Sequence, residues 1–210
     1  MGVYETSGVN EVRDLVAAAV SLLVTFLLAY ITEIMYYPVT AAGIIVGVLA
    51  GFILHELGHR FAARALGYQA FFKAWKLGIV LSIASGLLAG LFSLMGLPIL
   101  PVIAAPGAVY VVPRTLTHIL YTRRDELFIS SSGPLMNILI TVISLAVTLL
   151  ATGGVRYVGI LVSRVNAWLA LFNLLPIPPL DGFKVARSSV LAWIILAVTA
   201  FGLLVISMYM

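Results

Sequence analysis

The chain has 210 residues, 62% of them hydrophobic and 10% charged, with a formal net charge of +4 and a mean hydropathy of +1.15. That length suits one domain, and that composition excludes an ordinary water-soluble one. The absence of cysteine excludes disulfides and thiolate metal ligands. No basic and aromatic pattern points to nucleic acid. In so apolar a chain the excess of Lys and Arg marks the cytoplasmic side of a membrane rather than an anionic partner.

Taken in order, Met1 to Asp14 is polar and is expected to be short and exposed. Leu15 to Tyr37 is the first run long enough to cross a bilayer. It starts too far into the chain, with too little of a small-residue cleavage pattern, to read as a removed signal peptide. Its one charge, Glu33, reads as an interfacial residue. Pro38 bends the chain into a second span, Val39 to Leu66, which carries His55-Glu56-Leu57-Gly58-His59 near its exit. Leu77 to Met95 is again apolar. Leu97 to Pro113 is apolar too, but Pro98, Pro101, Pro106 and Pro113 oppose a helix there and favour extended or turning chain. A polar loop with His118 follows, and that histidine reads as solvated or interfacial. Three more spans complete the chain: Phe128 to Ala151, Val158 to Leu175 and Ser188 to Met210.

The distribution of Lys and Arg decides how residues 77–113 run. A single crossing leaves seven basic residues on one side and five on the other, almost no bias. If the segment enters and returns, ten share a side and only Arg156 and Arg164 lie opposite. The expected fold is therefore an all-α polytopic membrane protein. It has five to six transmembrane helices and a membrane-inserted re-entrant or extended segment near residues 77–113. The N-terminus and the end bearing the histidine pair are expected to be cytoplasmic.

The chemistry concentrates at His55-Glu56-x-x-His59. Four residues apart on a helix, the two imidazoles share a face and can grip one metal ion, while Glu56 stands where a carboxylate can take a proton from water. Ionisable groups at the end of an apolar helix are costly unless something pairs with them. Zinc in a catalytic site usually takes three protein ligands. Only eight acids and one further histidine are present. Asp181 stands out among them, because Pro176, Pro178 and Pro179 interrupt the helix before it and Gly182 follows it. Its simpler reading is a turn residue or helix cap.

These motifs, together with Gly133-Pro134-x-x-Asn137 and Asn173-x-x-Pro176-x-x-Pro179-x-Asp181-Gly182, give the chain a family likeness. It resembles the site-2 proteases, the intramembrane zinc metalloproteases, over about residues 43–184, taken as the catalytic core of a single domain spanning 1–210. The resemblance implies one zinc ion per chain, held by His55, His59 and Asp181, with Glu56 as the base. It also implies that Asn173 holds the substrate or the developing oxyanion, and that Asn137 binds substrate or else ties helices together. The apolar insertion 77–113 departs from the family in being longer and more helix-like than the short strands expected there. The function implied is hydrolysis of peptide bonds within or near transmembrane segments of membrane proteins. Two other readings stand beside it. One is a non-catalytic zinc-binding membrane protein that captures single-span partners. The other is a zinc transporter, which the gathering of all candidate ligands near one end disfavours.

Overall fold

A computed structural model describes residues 2–98, 101–113 and 121–210. His118 lies outside the described residues, as does the loop around it. The elements run α1 (Gly2–Ala29), α2 (Ile31–Tyr36), α3 (Val39–Ala65), β1 (Tyr68–Ala74), α4 (Lys76–Leu94), β2 (Gly107–Pro113), α5 (Arg123–Leu150), α6 (Gly153–Asn173), α7 (Asp181–Ser188) and α8 (Val190–Met208). Six helices, α1, α3, α4, α5, α6 and α8, are long and apolar enough to cross a membrane. The chain is thus a mostly helical polytopic membrane protein with one small sheet.

β1 and β2 form that sheet, an antiparallel ladder from Tyr68 opposite Pro113 to Ala74 opposite Gly107. The ladder decides how residues 77–113 run. Ala74 sits just before α4, and Gly107, its partner, comes after the proline-rich stretch, so the chain leaves one end of the bundle and comes back to it. A 19-residue α4 is about 28 Å long at 1.5 Å per residue, enough to reach across a bilayer core. The return leg is extended and sheltered. Val102, Ala104 and Ala105 are buried, Trp168 donates its indole N–H to the Val102 carbonyl at 3.0 Å, and the Ile103 N–H donates to Ser85 Oγ at 2.9 Å. Backbone without helical bonding survives at membrane depth only when protein shields it in this way.

Two groups of helices build the core. α3, α5 and α6 pack on one another and bury the polar side chains Asn137, Thr141, Asn166, His55 and His59. α4 lies against α1 through small residues. A Cβ on Gly86 would press on the Thr25 backbone, at 2.7 Å from its Cα. Such close backbone approach substitutes for hydrophobic driving force between helices in lipid.

The polar start departs from expectation. Residues 2–14 are helical and belong to α1, and Glu11 and Asp14 have work to do. Glu11 accepts from the Phe72 N–H at 2.8 Å and pairs with Arg60, while Asp14 accepts from the Ala74 N–H at 3.1 Å. The two carboxylates therefore cap the outer edge of β1, where an unpaired strand would present bare amides.

Candidate metal centre

α3 carries His55 and His59 one turn apart, facing α5 and α7. Close packing brings α5 near enough: Gly58 of α3 meets the Ser132 carbonyl, which a Cβ there would approach at 2.9 Å. Asp181 opens α7, which begins where prolines have ended α6. Two residues of α7, Arg187 and Ser188, clamp the buried Glu126 of α5. The Glu126 carboxylate bonded to Arg187 raises the guanidinium pKa. This clamp, together with Gly182 against the Leu174 backbone, sets the direction in which Asp181 enters the bundle.

The three sequence-predicted ligands meet. Asp181 Oδ2 lies 2.9 Å from His59 Nε2 and 3.2 Å from His55 Nε2, and the two Nε2 atoms are 3.1 Å apart. All three residues are buried, and their donor atoms form a group able to hold a metal ion. The opposite nitrogens explain why a cation belongs there. His59 Nδ1 donates to the Ile129 carbonyl at 2.7 Å, and His55 Nδ1 donates to Asn137 Oδ1 at 2.6 Å. With the Nδ1 protons so committed, both Nε2 atoms are left to face the Asp181 carboxylate. A metal ion among the three would be bound by all of them. Two nitrogens and one oxygen suit zinc.

Gly133 leaves the space clear. A Cβ there would stand 2.6 Å from His55 Nε2 and closer still to His59 Nε2, so any side chain at this position intrudes on the donor atoms. Pro134 follows inside α5.

Glu56 faces a cavity of about 30 Å³ that His55, Asn137, Asn173, Phe52 and Gly107 also line. Its Oε2 is buried without a hydrogen-bond partner among the described residues. A cavity of that size holds one or two waters, at roughly 10–15 Å³ of probe volume each. Asn173 borders the same space, with one amide hydrogen spent on the Leu169 carbonyl at 2.9 Å. Asn137 has different contacts from the substrate-facing ones expected of it. It is fully buried, its oxygen is on His55, and its amide donates to the Gly51 carbonyl and to Asn166 Oδ1.

A larger cavity, about 360 Å³, opens on the other side of the ligands, bounded by His59, Asp181, Lys184 and residues 108–111 of β2. Sequence reasoning missed the Glu126–Arg187 clamp and Asn166. The signal for Asn166 was present: an amide in the middle of a membrane-length apolar helix requires an internal partner.

Six membrane-length helices around a buried His-His-Asp group, beside a carboxylate and room for water, define a polytopic membrane protein with a site of the zinc-hydrolase class. The chain is 32% identical over 167 residues to the curated protein named "Putative zinc metalloprotease MJ0611" of Methanocaldococcus jannaschii, covering 79% of this chain and 80% of that one. It belongs to that zinc metalloprotease family. No family model matches the chain, and no solved structure matches it.

Proposed function

We propose that the protein is an intramembrane zinc endopeptidase of the site-2 type, cutting transmembrane segments of other membrane proteins. The observation that carries this reading is the meeting of His55, His59 and Asp181 beside Glu56, whose buried Oε2 has no hydrogen-bond partner among the described residues, on helices long enough to span lipid. A zinc ion bound by those three residues would acidify a water and polarise the scissile carbonyl. Glu56 takes a proton from the attacking water in the small cavity and passes it to the leaving amine. The second amide hydrogen of Asn173 donates to the carbonyl oxygen as charge develops on it. The domain works as one unit over residues 1–210.

A helical substrate hides its carbonyls in its own hydrogen bonds, so it must unwind, and β2 offers it a replacement partner. On β1 the Phe72 and Ala74 amides turn outward, to Glu11 and Asp14. In an antiparallel ladder their opposite numbers turn outward too, so on β2 the main-chain groups of Val109 and Gly107, and in alternation Val111, face away from β1. That edge borders the larger cavity with His59 and Asp181, while acids close the β1 edge. A substrate strand added to β2 runs past the ligands.

The orientation follows from charge. Arg60, Arg64, Lys73, Lys76, Arg123, Arg124, Lys184 and Arg187 lie at or near the site end of the bundle, against Arg156 and Arg164 toward the other. By the positive-inside rule the site end is cytoplasmic, in a multi-pass protein of the cell membrane. The test is purification in detergent, a zinc assay, and incubation with a model single-span protein, with Glu56→Gln as control. Zinc-dependent cleavage within the span supports the reading. Zinc without turnover in the native protein favours the non-catalytic binder instead.

A further inference from the structure

We propose that Asn166 is a positioning residue for the metal centre, acting through Asn137 to fix which ring nitrogen of His55 carries the proton. This rests on the reading of His55 as a zinc ligand. The two ligand histidines are held by different chemistry. His59 Nδ1 faces the Ile129 backbone carbonyl, a group that only accepts, so its tautomer is set without further help. His55 Nδ1 faces the side-chain amide of Asn137. An amide presents an oxygen or an NH2 of nearly the same shape, and the two outcomes differ fundamentally. With the oxygen toward the ring, Nδ1 is the donor and Nε2 keeps the lone pair that a metal requires. With the NH2 toward the ring, Nδ1 must accept, the proton moves to Nε2, and the ligand atom is blocked.

The structure supplies the device that decides between them. Asn166 Nδ2 donates to the Gly47 carbonyl at 3.1 Å and to the Val162 carbonyl at 2.9 Å. Both of its hydrogens are thus taken by groups that only accept, and its Oδ1 is turned to Asn137. Asn137 Nδ2 donates to that oxygen at 3.0 Å and to the Gly51 carbonyl at 3.2 Å. Its own oxygen is left for His55. Every link is directional, and the chain ends on backbone carbonyls that have no second orientation. Both amides are fully buried. Glycine at position 51 makes room for the pair, since a Cβ there would come within 2.5 Å of Asn166 Oδ1. Two acceptors oppose a flip of Asn137, the Gly51 carbonyl at 3.2 Å and the Asn166 oxygen at the shorter 3.0 Å, and Asn166 is the one a substitution can remove.

Partners of this kind, one bond behind a metal ligand, typically change metal affinity 10–100-fold when removed. The test measures zinc affinity of the whole protein in detergent by competition with a chelator, with melting temperature followed alongside. Asn166→Leu keeps the shape and removes the orienting oxygen, and zinc affinity is expected to fall about 10–100-fold. Asn137→Asp added to that variant is expected to restore it, because a carboxylate has no donor face to present to His55. A merely structural role for Asn166 predicts no such rescue. Unchanged affinity in Asn166→Leu, or no recovery in the double variant, overturns the inference.

Should Asn166→Leu fail to fold, Asn166→Ala takes its place in the same assay. Zinc affinity is again expected to fall about 10–100-fold, and unchanged affinity overturns the inference. A native protein that binds no zinc overturns the metalloprotease reading itself. A native protein that binds zinc while Asn166→Leu binds it equally well overturns only the role given to Asn166.

Discussion

The two ends of the bundle both place ionisable side chains among apolar helices, and they treat them differently. At the far end Glu33 and Arg164 line a cavity of about 460 Å³ with Tyr30, Trp168 and Met208. Among the described residues no ion pair joins them, and Arg164 donates only to the Ser207 carbonyl, at 2.9 Å. At the metal centre a space of about 30 Å³ lies beside His55 and Glu56 and one of about 360 Å³ beside His59 and Asp181, and three donor atoms stand within 3.2 Å of one another. At the roomy end Glu33 Oε2 is likewise buried without a hydrogen-bond partner among the described residues, but no second carboxylate or imidazole converges on it. The crowded end brings three donor atoms to one point, a group able to hold a cation. Burial of charge alone therefore does not mark a site in this molecule; convergence of lone pairs does.

Breaking the crowded end is expected to have the largest effect. His55→Ala, Asp181→Asn and Gly133→Ala each remove a ligand or fill the space between ligands, and each should abolish both zinc retention, read by elemental analysis, and cleavage of a single-span substrate. Removing the metal with a chelator should do the same to the native protein, with recovery on adding zinc. Glu56→Gln separates binding from chemistry: zinc stays at native stoichiometry, while the cleavage rate falls by about 10²–10⁴, the usual worth of a positioned base. Retained proteolysis in that variant would refute the assignment of Glu56. Arg187→Ala loosens the α7 clamp without touching a ligand, so zinc affinity in chelator competition should fall by about tenfold, the lower end of what removing a supporting partner does. Glu33→Gln sharpens the comparison from the other side. Zinc content should be unchanged and cleavage should stay within about twofold, because Glu33 lines the far cavity and touches none of the three donor residues.

Much of this was legible before any coordinates. The apolar runs gave the spans, since backbone in lipid must satisfy its own hydrogen bonds and the helix does so within one segment. The even split of basic residues under a single crossing pointed to a return of residues 77–113, and the β1–β2 ladder shows that return. His55 and His59 were readable because a four-residue spacing is a property of one helix. Other parts lay between elements and were hidden for that reason. Glu11 and Asp14 look like an exposed start and turn out to cap β1. Glu126 looks like a loop acid and turns out to hold α7. Asn137 reads from sequence as a substrate contact or a tie between helices, and it joins α5 to His55 and Gly51 of α3 and to Asn166 of α6.

What this sequence fixes alone is local: which segments are apolar enough to span, where prolines forbid a helix, and which two imidazoles share a helix face. The tertiary structure alone decides that Asp181, 122 residues beyond His59, meets it at 2.9 Å, that Gly133 keeps the space between them clear, and that two amides from separate helices stand in line behind His55. Those are relations among helices α3, α5, α6 and α7, and no periodicity within one segment encodes the distance to another.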